Sequence, residues 1–227
     1  MNFIPVLSTL VTFAFTYFVF NRYLRKGGKH LLLWSIGLLL YGLGTLSEVI
    51  LGFTFNEGVL KLWYLTGAML TAAWLGQGSI QLLIRKGNLA TYLTYALGIV
   101  SLLGLVLITL APLTGAQANY NLAGTVSEQY KTILTRSGPI IFLTIILNIY
   151  GTLGLVGGAG YSALLFWKKK VLANRMFGNI LIAIGALSPA MAGTFVKAGI
   201  VDALYISELI GAIVMFTGFM LATSAKE

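Results

Sequence analysis

Residues 90–111 read ATYLTYALGIVSLLGLVLITLA, a stretch without a single charged side chain. Wound as an α-helix at 1.5 Å per residue it is about 33 Å long, which matches the hydrocarbon thickness of a bilayer. Pro112 closes it on one side and the Arg85-Lys86-Gly87-Asn88 turn on the other. Working outward, six further apolar stretches have the same character: about Phe3 to Phe20, His30 to Phe53, Leu60 to Ile84, Pro139 to Trp167, Met176 to Ile200 and Ala203 to Ala222. The expected fold is an all-α integral membrane protein, a single domain of residues 1–227 forming a seven-transmembrane-helix bundle.

Composition agrees. Of 227 residues, 58% are hydrophobic and 9% charged, with a mean hydropathy of +0.90. A soluble domain carries roughly a quarter charged residues and could not hide this much apolar surface. The net charge of +9 raises the question of nucleic acid, but the basic residues sit in short runs between apolar stretches, the pattern of membrane loops. Nucleic acid is therefore not an expected partner. Cysteine is absent and His30 is the only histidine, which excludes thiolate chemistry, a multi-histidine metal site and bis-histidine haem ligation within one chain. No cofactor and no metal are expected.

Seven spans place the termini on opposite faces, and the basic residues decide which is which. One face carries eleven: Arg22, Arg25, Lys26, Lys29, Arg85, Lys86, Lys168, Lys169, Lys170, Arg175 and Lys226. The other carries four: Lys61, Lys131, Arg136 and Lys197, the last just inside a span. The N-terminus is therefore expected outside, the C-terminus in the cytoplasm, and the chain in the plasma (inner) membrane. No basic residue precedes the first span and no A-x-A-like site ends it, so it is expected to stay in place rather than be cleaved as a signal peptide. Trp63, Tyr64, Tyr92, Tyr95, Trp167 and Tyr205 fall near predicted span ends, where an aromatic belt belongs.

The one long connection is the outer segment 112–138. Thr125 and Glu128 have capping-box spacing, and Tyr130, Ile133 and Leu134 form an apolar stripe behind them. A short amphipathic helix is expected here, lying over the bundle. A three-plus-one-plus-three repeat is also suggested, because Ile36-Gly37 leading to Glu48 and the Trp63 to Gly76 helix has an echo in Ile184-Gly185 leading to Lys197 and the Tyr205 to Gly218 helix.

Ionisable groups within spans cost about 2.5 to 3.5 kcal/mol each on insertion scales and usually face the bundle interior. Glu48, Lys197 and Glu208 are the candidates, all at similar depth from the outer side. Tyr41 lies on the same face of its helix as Glu48, and Tyr205 on that of Glu208. They are read as one outer polar cluster, either a ligand or proton site or an ion pair that pins helices together. Gln77, Gln81, Asn148 and Asn179 suit interhelical hydrogen bonds. Gly154 and Gly158 have G-x-x-x-G spacing in a glycine-crowded span and are expected to pack against a neighbouring helix or a second copy. Pro189 is expected to kink its span.

A microbial retinal protein would carry a Schiff-base lysine in the middle of its last span, where Gly211 to Phe219 has none. No nucleophile constellation is present, so the chain is not expected to be an enzyme. The function expected is that of a non-enzymatic binding or sensory protein, receptor-like, or an accessory subunit of a larger membrane complex. The alternative is a small solute or proton-coupled transporter. The partners are the lipid bilayer and, given so little soluble mass, other membrane subunits or a homo-oligomer.

Overall fold

Lipid offers backbone N–H and C=O groups no partner, so a chain this apolar has to satisfy them within helices. The computed structural model describes residues 3–84, 86–169, 173–197 and 203–224; side chains at 116, 190, 192–197 and 203 lie outside that description. The elements are α1 (Ile4–Lys26), α2 (Lys29–Leu51), α3 (Glu57–Trp63), a π-helical segment (Tyr64–Leu70), α4 (Thr71–Leu83) and α5 (Leu89–Leu110). After a long connecting segment with a 3-10 turn (Gly115–Asn119) and α6 (Val126–Ile133) come α7 (Gly138–Thr152), a second π segment (Leu153–Gly157), α8 (Gly158–Lys169), α9 (Ala173–Lys197) and α10 (Ala203–Ser224). Among the described residues there is no strand, only one antiparallel bridge between Leu113 and Leu134 at the base of that connecting segment.

Five helical stretches are long and apolar enough to cross a membrane: Ile4–Lys26, Lys29–Leu51, Leu89–Leu110, Gly138–Lys169 and Leu204–Ser224. The expected third span is helical from Glu57 to Leu83 but divided by its π segment, and the expected sixth is α9, which holds Pro189 within it. The first helix also runs past Phe20 through Arg22, Arg25 and Lys26. It stops where Gly27 takes φ +66°, a left-handed conformation that favours glycine, and donates its N–H to the Tyr23 carbonyl at 2.7 Å.

Lipid-like surroundings change what holds such helices together. Leu102, Leu110, Phe142 and Leu153 all point outward, and α5 buries only Ala90, Leu97, Gly104 and Ile108, one narrow face. Burial of apolar area against lipid contributes little, and close packing with hydrogen bonds has to serve instead. The tightest seam joins α4 to α7. A methyl group at Gly151 would stand 2.1 Å from the Ala72 carbonyl carbon, and one at Gly76 would stand 2.5 Å from the Gly151 carbonyl oxygen. Gly154 continues the seam against Gly76, and Gly158 reaches Ser79 and Leu83. The neighbour of the glycine pair is thus α4, within the same chain.

The aromatic residues divide. Tyr92, Tyr95 and Trp167 are exposed, as a belt requires, whereas Trp63, Tyr64 and Tyr205 are buried inside the bundle. Proximity to a predicted span end did not distinguish the two groups.

Candidate functional site

Helical spacing brings one face of α2 to the middle of the bundle: Tyr41, Thr45 and Glu48 follow one another at four and three residues. They line a cavity of about 300 Å³, together with Trp63 from α3, Asn148 and Gly151 from α7, Pro189 from α9, and Glu208 and Met215 from α10. Across one end lies α6, which supplies Ser127, Tyr130 and Lys131. The opposite end is apolar, with Leu75, Leu155 and Met215.

Two π segments border this space. A π turn carries an extra residue within its ring, which widens the helix locally, and such insertions recur at functional sites. In the Tyr64–Leu70 segment the Thr66 carbonyl accepts from both the N–H and the hydroxyl of Thr71, the latter at 2.8 Å. Gly67 and Ala68 are thereby turned to the cavity, and the Ala68 carbonyl accepts from Asn148 Nδ2 at 2.7 Å. The second segment, Leu153–Gly157, adds Leu155 and Val156 to the wall.

Glu48 is 3% exposed. Its Oε1 accepts from the Trp63 indole N–H at 2.9 Å, while Oε2 is buried without a hydrogen-bond partner among the described residues. Glu208 Oε2 is in the same condition. The two carboxyl groups are neighbours and hydrogen-bond one another. Tyr41 does not satisfy them; its hydroxyl donates instead to the Glu208 backbone carbonyl at 2.8 Å. Tyr205 feels the charge of both acids, and its hydroxyl accepts the N–H of Val126 at 3.3 Å, tying α10 to the first turn of α6.

The α6 helix over that end of the cavity is built from the expected signals. Thr125 N–H donates to Glu128 Oε2 at 3.4 Å and Glu128 N–H to the Thr125 carbonyl at 3.3 Å, and Val126, Ile133 and Leu134 turn inward. Tyr130 contacts Trp63 and Tyr64 at ring-centroid distances of 5.2 and 5.6 Å, and Arg136 stacks on the Tyr130 ring at 4.9 Å. Burial pushes the Tyr120 phenol up to about 12, with the Glu48 charge adding to the effect.

Four of the five expected cluster residues are therefore placed: Glu48, Glu208 and Tyr41 line one cavity, and Tyr205 stands beside it. Lys197 ends α9, and its side chain lies outside the described residues. Trp63 and Tyr130 belong to the site but read as belt and lid residues in the sequence, since nothing in a linear chain places an indole beside a carboxyl fifteen positions away. Among the described residues no group of three His, Cys, Asp or Glu side chains gathers as metal ligands. No protein-family model, no curated protein and no solved structure matches the chain.

Proposed function

We propose that this chain is a seven-span plasma-membrane protein, N-terminus outside and C-terminus cytoplasmic, whose central cavity binds a small ligand. It acts without catalysis, as a receptor-like sensory protein or as the ligand-binding subunit of a larger membrane complex. The observation that carries this reading is the cavity of about 300 Å³ with two unpartnered carboxyl oxygens buried at its wall. Buried acceptors left unsatisfied cost about 1–3 kcal/mol each, and more when charged. A ligand that donates to them offsets that cost, whereas a purely structural bundle would be more stable with apolar residues in their place.

Transport of the same ligand is the second reading. Its support is that two helices next to the cavity are interrupted by π segments, as in carriers that move around a central site.

The ligand reading is tested by purifying the protein in mild detergent and identifying bound small molecules and proteins by native mass spectrometry. A small molecule retained by the wild type and lost from Glu48→Gln and Glu208→Gln supports the cavity; retention by both variants overturns it. The topology is tested with reporters after Lys226 and near Gln117, and both on one side of the membrane would defeat the seven-span reading.

A further inference from the structure

We propose that the cavity takes a small organic amine with an apolar body, its ammonium group between Glu48 and Glu208 and its body toward Leu155 and Met215. The inference rests on the cavity being the ligand site and names the class of ligand it selects.

The first argument is an imbalance of donors. Two carboxyl groups present four oxygens: the Trp63 N–H donates to Glu48 Oε1, the two carboxyls also hydrogen-bond each other, and Glu48 Oε2 and Glu208 Oε2 are still left without a partner among the described residues. The α2 hydroxyls are committed elsewhere, Tyr41 to the Glu208 backbone carbonyl, Thr45 to that of Gly42 and Ser47 to that of Leu43. Lys131 of α6 lines the same cavity, but its ammonium lies over the Tyr130 ring at 5.9 Å and forms no ion pair with either acid. An isolated buried charge is costly unless paired, so the group that completes this site is a cation with N–H donors. An anion would meet two carboxyls. A sugar-like neutral ligand would need donors and acceptors along its whole length, and the end formed by Leu75, Leu155 and Met215 offers none from its side chains.

The second argument is the gradient along the cavity. Charged and aromatic groups stand at the α6 end, and Leu75, Leu155 and Met215 at the other. Beyond those three residues a smaller apolar pocket of about 30 Å³ continues between Phe15, Trp34 and Phe219. A hydrophobic body is matched by this end, and a compact ammonium by the other. The Trp63 ring beside Glu48 adds a cation–π surface there, a contact that favours ammonium over an isosteric neutral group.

The test uses three probes of one shape and different charge on the full-length protein in detergent: phenethylamine, 2-phenylethanol and 3-phenylpropionate, with affinity read by calorimetry at neutral pH. The amine is expected to bind at least about tenfold more tightly than the alcohol, as a desolvated charge pair requires, and the carboxylate not at all. Glu208→Gln and, separately, Glu48→Gln should bring the ratio of amine to alcohol affinity down toward one, with a melting temperature close to that of wild type showing that each variant is folded. Equal binding of amine and alcohol, or tighter binding of the carboxylate, overturns the amine while leaving a ligand cavity standing. Failure of all three probes overturns both. Lys197→Met supplies the remaining arm: amine binding that appears only in that variant means the two acids already hold a cation from the chain itself, and the proposal fails.

Discussion

Two polar places inside the bundle invite comparison, one around Gln77 and one around Glu48 and Glu208. Gln77 is fully buried, and each end of its amide is engaged. Its Nε2 donates to the Ala90 carbonyl at 2.8 Å and to Thr94 Oγ1 at 2.7 Å, and its Oε1 accepts from the Tyr150 hydroxyl. Glu48 is as deeply buried, but one of its oxygens has no partner among the described residues and a cavity lies beside it. The first site joins α4, α5 and α7 and is complete. The second is an acceptor surplus beside open space. Equal burial therefore accompanies opposite roles: a saturated polar group serves packing, while an unsaturated one at a cavity wall is available to a ligand.

The largest expected effect comes from the seam that supports both places. Gly151→Leu forces apart α4 and α7 at a point where even a methyl group stands 2.1 Å from backbone, and the loss should exceed about 3 kcal/mol, seen as failure to purify a monodisperse protein. Stable, well-folded Gly151→Leu protein would show that the seam does not govern the bundle. Next is Gln77→Leu, which orphans the Tyr150 hydroxyl and should lower stability by about 1–3 kcal/mol, read as a lower melting temperature in detergent. Glu48→Gln should differ in kind. It keeps an acceptor for Trp63 and removes a buried ionisable group, so stability should stay within about 1 kcal/mol of wild type or rise, while amine binding is weakened. A Glu48→Gln variant destabilised as much as Gln77→Leu would erase the distinction between the two sites. The smallest effect is a control: Gly160 in α8 has open space where a Cβ would go, so Gly160→Ala should be neutral or stabilise by up to about 1 kcal/mol through helix propensity.

Much of the fold was legible because long apolar runs and capping signals are local. The helix around 90–111, the ends of α2 and α10, and the α6 helix behind Thr125 and Glu128 all follow from spacing along the chain. Glu48 and Glu208 were also legible, since a carboxylate inside an apolar run is expensive wherever it sits. The π segments were not. A π turn differs from an α turn by one residue in the hydrogen-bond ring, and Tyr64–Leu70 has a composition that suits either.

The sequence by itself determined that the chain is helical and suited to lipid, which residues are charged within it, and where the outer helix begins, because each of these depends on neighbours within a turn or two. Only the tertiary structure decided that Trp63 donates to Glu48, that Tyr41 turns to a backbone carbonyl instead, that Tyr150 completes Gln77, and that the seam glycines meet α4. Those outcomes depend on which helices approach and at what rotation. In lipid that choice is made by close packing of small residues and by polar groups finding partners on other helices, neither of which leaves a periodic trace in the chain.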